Sequence, residues 1–225
     1  NNAWSQYFRG VNGYENVKVE DGYLKLRACK DNGTYKNGGV FSKIGFPCGT
    51  RLEVKAKLTK LVRGGFPAIW QMPMGAPEWP RGGEIDLMEW VQGTPLQIYQ
   101  TVHTYYINGA NGSAGVTNKN PDKNFDVTKD HVYAVERTEK ELIFYVDGKE
   151  TWRYGNQYLD EGKLQYPFCE YPFNIILNFS LGGELNGRMT WPGEICDEDL
   201  PGEMWVDWVR VVSLNNENQS DTGDK

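Results

Sequence analysis

Apolar and polar residues alternate with a period of two along most of this 225-residue chain, and no segment longer than two turns carries a clean 3.6-residue period. Leu52, Val54, Ala56 and Leu58 are apolar while Arg51, Glu53, Lys55 and Lys57 are charged, the pattern of a half-buried strand. Leu24, Leu26 and Ala28 repeat it upstream. Leu142 to Val146, then Asp147-Gly148, then Lys149 to Tyr154 predicts a hairpin closed by an Asp-Gly turn. Phe173 to Leu181 and Met204 to Val212 complete the strong strands. Short strands separated by Gly and Pro indicate an all-β sandwich or jelly roll. The 39% hydrophobic content is enough for one sizeable core, so residues 1–212 are expected to form a single sandwich domain. From Ser213 to Lys225 the chain is polar and poor in apolar residues, and a disordered tail is expected.

Charge and composition exclude several function classes. The net charge of −6 argues against nucleic acid or anionic membranes as partners. No apolar run approaches the roughly 20 residues that span a bilayer, so no membrane insertion is expected. The opening Asn1-Asn2-Ala3-Trp4 has neither a charged nor an apolar leader region, so no signal peptide is expected within the chain. Eight Trp and 13 Tyr are more than the core patterns absorb; about half would fill the core, and the rest have faces suited to stacking on sugar rings. The four cysteines, at 29, 48, 169 and 196, show no CxxC spacing and no neighbouring His, which disfavours zinc. Pairing of Cys29 with Cys48 and of Cys169 with Cys196 would suit an oxidising compartment; free buried thiols are the alternative.

The chemistry concentrates in Gly83-Glu84-Ile85-Asp86-Leu87-Met88-Glu89. On an extended strand Glu84 and Asp86 share a face. Glu89, three residues on, joins them only if a β-bulge inserts one extra residue. Three acids on one face raise one another's pKa values, which is costly unless the cluster has a use. A retaining glycosidase has one: it needs two carboxyl groups roughly 5–5.5 Å apart, one an ionised nucleophile and one a protonated acid. Glu84 is expected to attack the anomeric carbon. Glu89 would protonate the departing oxygen and later deprotonate water. Asp86 would orient Glu84 and help decide which group holds the proton. No cofactor is required for this chemistry. A solvated acidic strand edge fits poorly, because Ile85, Leu87 and Met88 are apolar and Trp79-Pro80 and Trp90 flank the run.

The Glu-x-Asp-x-x-Glu run resembles the signature of glycoside hydrolase family 16 in its bulged, laminarinase-like branch. Similar flanks are Phe66-Pro67-Ala68-Ile69-Trp70-Gln71-Met72-Pro73, Trp79-Pro80, Gly82-Gly83, Thr101-Val102-His103, Leu181-Gly182-Gly183 and Val206-Asp207-Trp208-Val209-Arg210, spread from about Tyr14 to Val212. The resemblance implies a β-jelly-roll sandwich of two antiparallel sheets with an open concave cleft. It also implies endo cleavage, with retention, of a β-linked oligo- or polysaccharide, by a monomer that is secreted, periplasmic or at the cell surface. By motif position Trp70 would face the sugar at the cleavage point, Trp79 would lie close by, and His103 would lie near Glu89 on the leaving-group side. Tyr105, Tyr106 and the Gly/Asn-rich loop to Gly115 are placed to reshape that side, and Trp191 joins them as an expected sugar-binding residue. His131, beside Asp130, is read as structural. Family members often carry a structural calcium on the convex side, for which the resemblance offers Asp207.

Two departures bear on substrate. Arg137 stands where the family commonly has an aromatic residue, and the stretch from Leu185 to Cys196 does not look like a glucanase ending. Both β-1,3- or mixed-linkage glucan and β-galactose-containing chains (poly-N-acetyllactosamine or mucin-type glycans) therefore stay open. The reading from another class is a non-catalytic carbohydrate-binding module or lectin on the same sandwich. That reading favours loss of an acid, and all three are present.

Overall fold

A computed structural model describes residues 11–91, 96–107, 116–119, 124–159 and 164–214. Its strands run in the order β1 (Val11–Asn12), β2 (Val17–Glu20), β3 (Tyr23–Asp31), β4 (Thr34–Phe41), β5 (Thr50–Leu58), β6 (Gly65–Pro73), β7 (Glu84–Glu89) and β8 (Tyr99–His103). There follow β9 (Val116–Lys119), β10 (His131–Arg137), β11 (Glu141–Val146), β12 (Lys149–Gly155), β13 (Phe173–Leu181), β14 (Glu184–Leu185), β15 (Arg188–Met189) and β16 (Gly202–Ser213). One hydrogen-bonded path joins most of them, in the order β12-β11-β10-β5-β16-β3-β4-β13-β6-β7-β8-β9. The β3–β4 hairpin passes from one layer to the other, so this path curls into the two layers of a jelly roll. The strand pairs are antiparallel except β1 with β4, which is parallel.

The core lies between the layers. Ile69, Ile85, Leu87, Val102, Leu177 and Phe179 come from one side and Leu26, Val54, Tyr133, Val135, Phe144 and Met204 from the other. β5 is buried at alternate positions along its length, with Leu52, Val54, Ala56 and Leu58 inside. Asp147 (φ 52°) and Gly148 (φ 76°) close the β11–β12 hairpin in the left-handed region, as an Asp-Gly turn of this kind requires. The strand at the C-terminal end runs through Ser213, the first residue of the expected tail; the tail beyond Leu214 lies outside the described residues.

The cysteine pairing differs from the expectation. Cys48 is joined to Cys169, with their Cα atoms 5.0 Å apart. Cys29 is a buried thiol near Asn16, and Cys196 lies beside Glu198. Neighbours in sequence are not neighbours in this topology: the segment before β5 and the segment before β13 meet at one end of the sandwich. Arg137 lies there too, 1% exposed at the end of β10. Its Nη1 donates to the carbonyls of Phe168 (2.6 Å) and Tyr171 (3.5 Å), and its Nη2 to those of Phe46 (2.5 Å) and Pro47 (2.7 Å). The guanidinium also covers the Phe173 ring at 4.7 Å. The departure at Arg137 is thus a packing feature at the end of the core. His131 is likewise structural, held by Asp147 (2.6 Å) and the Asp126 carbonyl (2.9 Å).

Candidate active site

The strand that carries the acids begins at a constrained glycine. Gly83 has φ +84°, and a Cβ there would stand 2.7 Å from the Phe168 ring. Its N–H donates to the Pro80 carbonyl (3.0 Å), ending the turn that follows Trp79-Pro80 and starting β7 at Glu84.

The bulge required by the acid spacing is present. On one side Trp70 pairs with Asp86 while Ile69 pairs with Met88, which leaves Leu87 as the extra residue. On the other side Asp86 pairs with Thr101 and Glu89 with Tyr99. Ile85, Leu87 and Met88 all enter the core. The even step from Glu84 to Asp86 and the bulged step to Glu89 bring the three acids to the opposite, cleft-side face.

Each acid has a distinct setting. Glu84 Oε2 accepts the indole N–H of Trp79 at 2.6 Å, and Glu84 shares a hydrogen bond with Asp86. Asp86 is 2% exposed. Burial first, then the charges of Glu89 and Glu84, hold its carboxyl well above the ordinary carboxylate range. Glu89 accepts the Thr101 hydroxyl at 2.8 Å on Oε2. Its pKa is pushed up to about 8, by burial first; the Thr101 hydrogen bond opposes the shift and the charge of Glu84 adds to it. Near neutral pH Glu89 therefore keeps its proton, the state a general acid needs.

Aromatic residues stand at both ends of the acid row. Trp70 lies opposite Asp86 on β6, with its indole N–H fixed by Asn178 Oδ1 (2.7 Å). Asn178 is itself held by Ser180 (3.0 Å). At the Glu84 end the Trp79 and His103 rings are 5.9 Å apart. Tyr105 packs on Tyr106 (5.8 Å), and the Arg81 guanidinium covers Tyr105 at 4.2 Å. At the Glu89 end Trp191 is 52% exposed and packs edge-on against Tyr99 (5.1 Å) and Phe66 (5.5 Å). The β14–β15 hairpin and the turn from Thr190 to Gly193 present it there. The segment that departs from the glucanase pattern thus delivers an aromatic face beside the acid row.

His103 sits elsewhere than the resemblance suggested. It pairs with Glu84, and its Nε2 is 3.6 Å from Asp86 Oδ2. Antiparallel pairing with a bulged β7 sets Tyr99, rather than His103, opposite Glu89. The sequence alone assigned no site role to Tyr99, Phe66 or Asn178 and no partner to the Thr101 hydroxyl. Alternation already puts Thr101 and Tyr105 on the polar face of His103, and Tyr99 shares that parity, but only cross-strand register assigns their partners. The Gly/Asn-rich positions 108–115 lie outside the described residues.

Donor atoms of Glu84, Asp86 and His103 lie within 4.8 Å of one another. Asp86, whose carboxyl is held well above the ordinary carboxylate range by burial and by its acidic neighbours, would be a poor cation ligand. Asp207 is at the bulge of β16 and accepts Lys55 Nζ at 2.8 Å. Among the described residues it belongs to no cluster of three potential metal-ligating side chains.

A family model for glycosyl hydrolases family 16 matches residues 4–210. A keratan-sulfate endo-1,4-beta-galactosidase of Sphingobacterium multivorum is 33% identical over 220 residues, which is 94% of this chain and 49% of that protein. A beta-glucanase of Rhodothermus marinus is 35% identical over 169 residues, 72% of this chain and 56% of that protein. The chain thus spans about half the length of these curated relatives. A solved structure from work on how "prominent members of the human gut microbiota express endo-acting O-glycanases to initiate mucin breakdown" is 90% identical. It covers 94% of this chain and 88% of that chain, with a TM-score of 0.89.

Proposed function

This chain belongs to the glycosyl hydrolases of family 16, and from that premise we propose that it is a retaining endo-β-glycosidase cleaving internal β-galactosidic linkages of mucin-type O-glycans. The observation that carries the chemistry is the bulged row Glu84, Asp86, Glu89 on one open face, with burial keeping a proton on Glu89. The substrate class rests on likeness to the O-glycanase structure, at 90% identity over 94% of the chain. A glycan of this kind lies outside the cell, so a secreted or cell-surface location goes with the reading. No described helix is long and apolar enough to cross a membrane. One chain carries the whole acid row, so a monomer suffices.

In the first step a Glu84 carboxylate oxygen bonds to the anomeric carbon as the bond to the leaving oxygen breaks. Glu89 gives that oxygen its proton. Asp86 donates its hydrogen bond to Glu84 and orients the attacking carboxylate, while Trp79 holds Oε2. Once Glu84 is an ester its charge has gone, and with it one of the causes that raise the Glu89 pKa. Glu89, now a carboxylate, takes a proton from water, and the water oxygen displaces Glu84 from the anomeric carbon. Two inversions give net retention.

The direct test is incubation with laminarin, barley glucan and a lactosamine-rich mucin, with product masses and the first-formed anomer read out. Oligosaccharides released from mucin as the β anomer are expected. Release from glucan alone would overturn the substrate, and no release from any of them the activity. Trp191→Ala is expected to lower kcat/KM on the mucin glycan about tenfold, the scale of one lost stacking contact. Trp70→Ala should impair every substrate, because that indole lies across from Asp86. Equal proportional losses on glucan and mucin for Trp191→Ala would remove Trp191 from specificity.

A further inference from the structure

Thr101 lies on β8 directly opposite Asp86, yet its hydroxyl reaches across the bulge to Glu89 Oε2 at 2.8 Å. The side chain is 3% exposed, so water competes little for this bond. A carboxylic acid accepts a hydrogen bond best on its carbonyl oxygen, so the oxygen that Thr101 contacts is not the one that best carries the proton. We infer that Thr101 is a positioning residue for Glu89: by donating to Oε2 it leaves Oε1 as the oxygen that releases and regains the transferred proton. The inference rests on the proposed glycosidase reading.

The contact serves both halves of the reaction. With Glu89 protonated, the Thr101 hydroxyl holds Oε2 and fixes the carboxyl plane. With Glu89 ionised, the same hydroxyl donates to a full carboxylate, and the bond strengthens. The carboxyl therefore need not turn as the proton leaves and returns. The other titratable groups on this face of the packed strands are Glu84 and Asp86 on β7, with Tyr99 opposite Glu89 and His103 opposite Glu84 on β8. From β6 the pairing partners are Ala68 and Trp70, which do not titrate. Changing Thr101 alters none of these charges.

Thr101→Val removes the hydroxyl and keeps the branched shape. Loss of a donor to the ionised form raises the Glu89 pKa, so the alkaline limb of kcat/KM should move up by about one pH unit. kcat should fall about tenfold with KM within about twofold, and Thr101→Ser should restore both. Glu89 is also titrated directly by carbon NMR of glutamate-labelled protein, which needs no substrate. If no glycan is cleaved, the function reading fails while the titration still judges Thr101. An unmoved Glu89 titration in Thr101→Val overturns the inference. A downward movement overturns it too, since it would show Glu89 donating to Thr101. Should Thr101→Val not fold, Thr101→Cys, a weaker donor, is expected to shift the titration upward by less, and an unshifted titration there counts against the inference equally.

Discussion

Glu89→Gln is expected to lower kcat by about 10²–10⁴-fold, the usual range for a lost general acid. Glu84→Gln should cost about 10⁴-fold or more, the scale seen when a hydrolase loses its nucleophile. Both variants should fold, because Gln keeps the volume of Glu at the half-buried position 84 and the buried position 89. Azide separates the roles. With a small residue at position 84 it should attack the anomeric carbon directly and give the inverted glycosyl azide; with a small residue at position 89 it should give the retained one. Exchanged products would exchange the roles, and near wild-type turnover in either Gln variant would sink the two-carboxylate assignment.

The electrostatics predict two further readouts from the same variants. The charge of Glu84 helps raise the pKa of Glu89, so Glu84→Gln should move the Glu89 titration below its native value near 8. Glu89 also links stability to pH. Its folded pKa of about 8 lies above the ordinary 4.5, so between those values the folded state holds a proton that the unfolded state has lost. Stability supplied by that proton is complete below about 4.5 and is lost as pH rises through about 8. Glu89→Gln should therefore flatten the fall of Tm over this window and melt higher than the parent at pH 8. A parallel fall in both proteins would show that Glu89 carries no such proton.

Arg137→Met is expected to lower Tm by about 10 °C with the pH profile of activity unchanged. Arg137 donates to carbonyls of Phe46, Pro47, Phe168 and Tyr171, and Met offers no donor to any of them. Each buried acceptor left short costs about 1–3 kcal/mol. Relief of the buried charge offsets part of this, since burial already lowers the Arg137 pKa to about 10. A net loss of about 3 kcal/mol corresponds to about 10 °C in a domain of this size. The disulfide Cys48–Cys169 ties the same two segments, so the variant should lose more in reducing buffer than in oxidising buffer, a coupling expected of neighbours. Arg137→Lys, with a single ammonium, should recover only part of the loss. Melting within about 1 °C of the parent would mean that the four carbonyls do not depend on the guanidinium.

Local chemistry determined much of this protein without the tertiary structure. The alternation from Leu52 to Leu58 assigned a strand and its buried face, and Asp147-Gly148 assigned a hairpin. The spacing of Glu84, Asp86 and Glu89 called for a bulge before any strand had a partner. These features were legible because backbone geometry sets side-chain direction within a few residues. Other features were decided only by strands distant in sequence meeting in a particular register. Cys48 meets Cys169 because two inter-strand segments close the same end of the sandwich. Arg137 is accommodated in the core because carbonyls from those segments converge on it. Glu89 meets Thr101 and His103 meets Asp86 because β8 pairs with a bulged β7, and Trp191 reaches the cleft on a hairpin from the far end of the chain. A strand's own sequence carries its period and its faces; which residue stands opposite is set by the packing of the whole sheet.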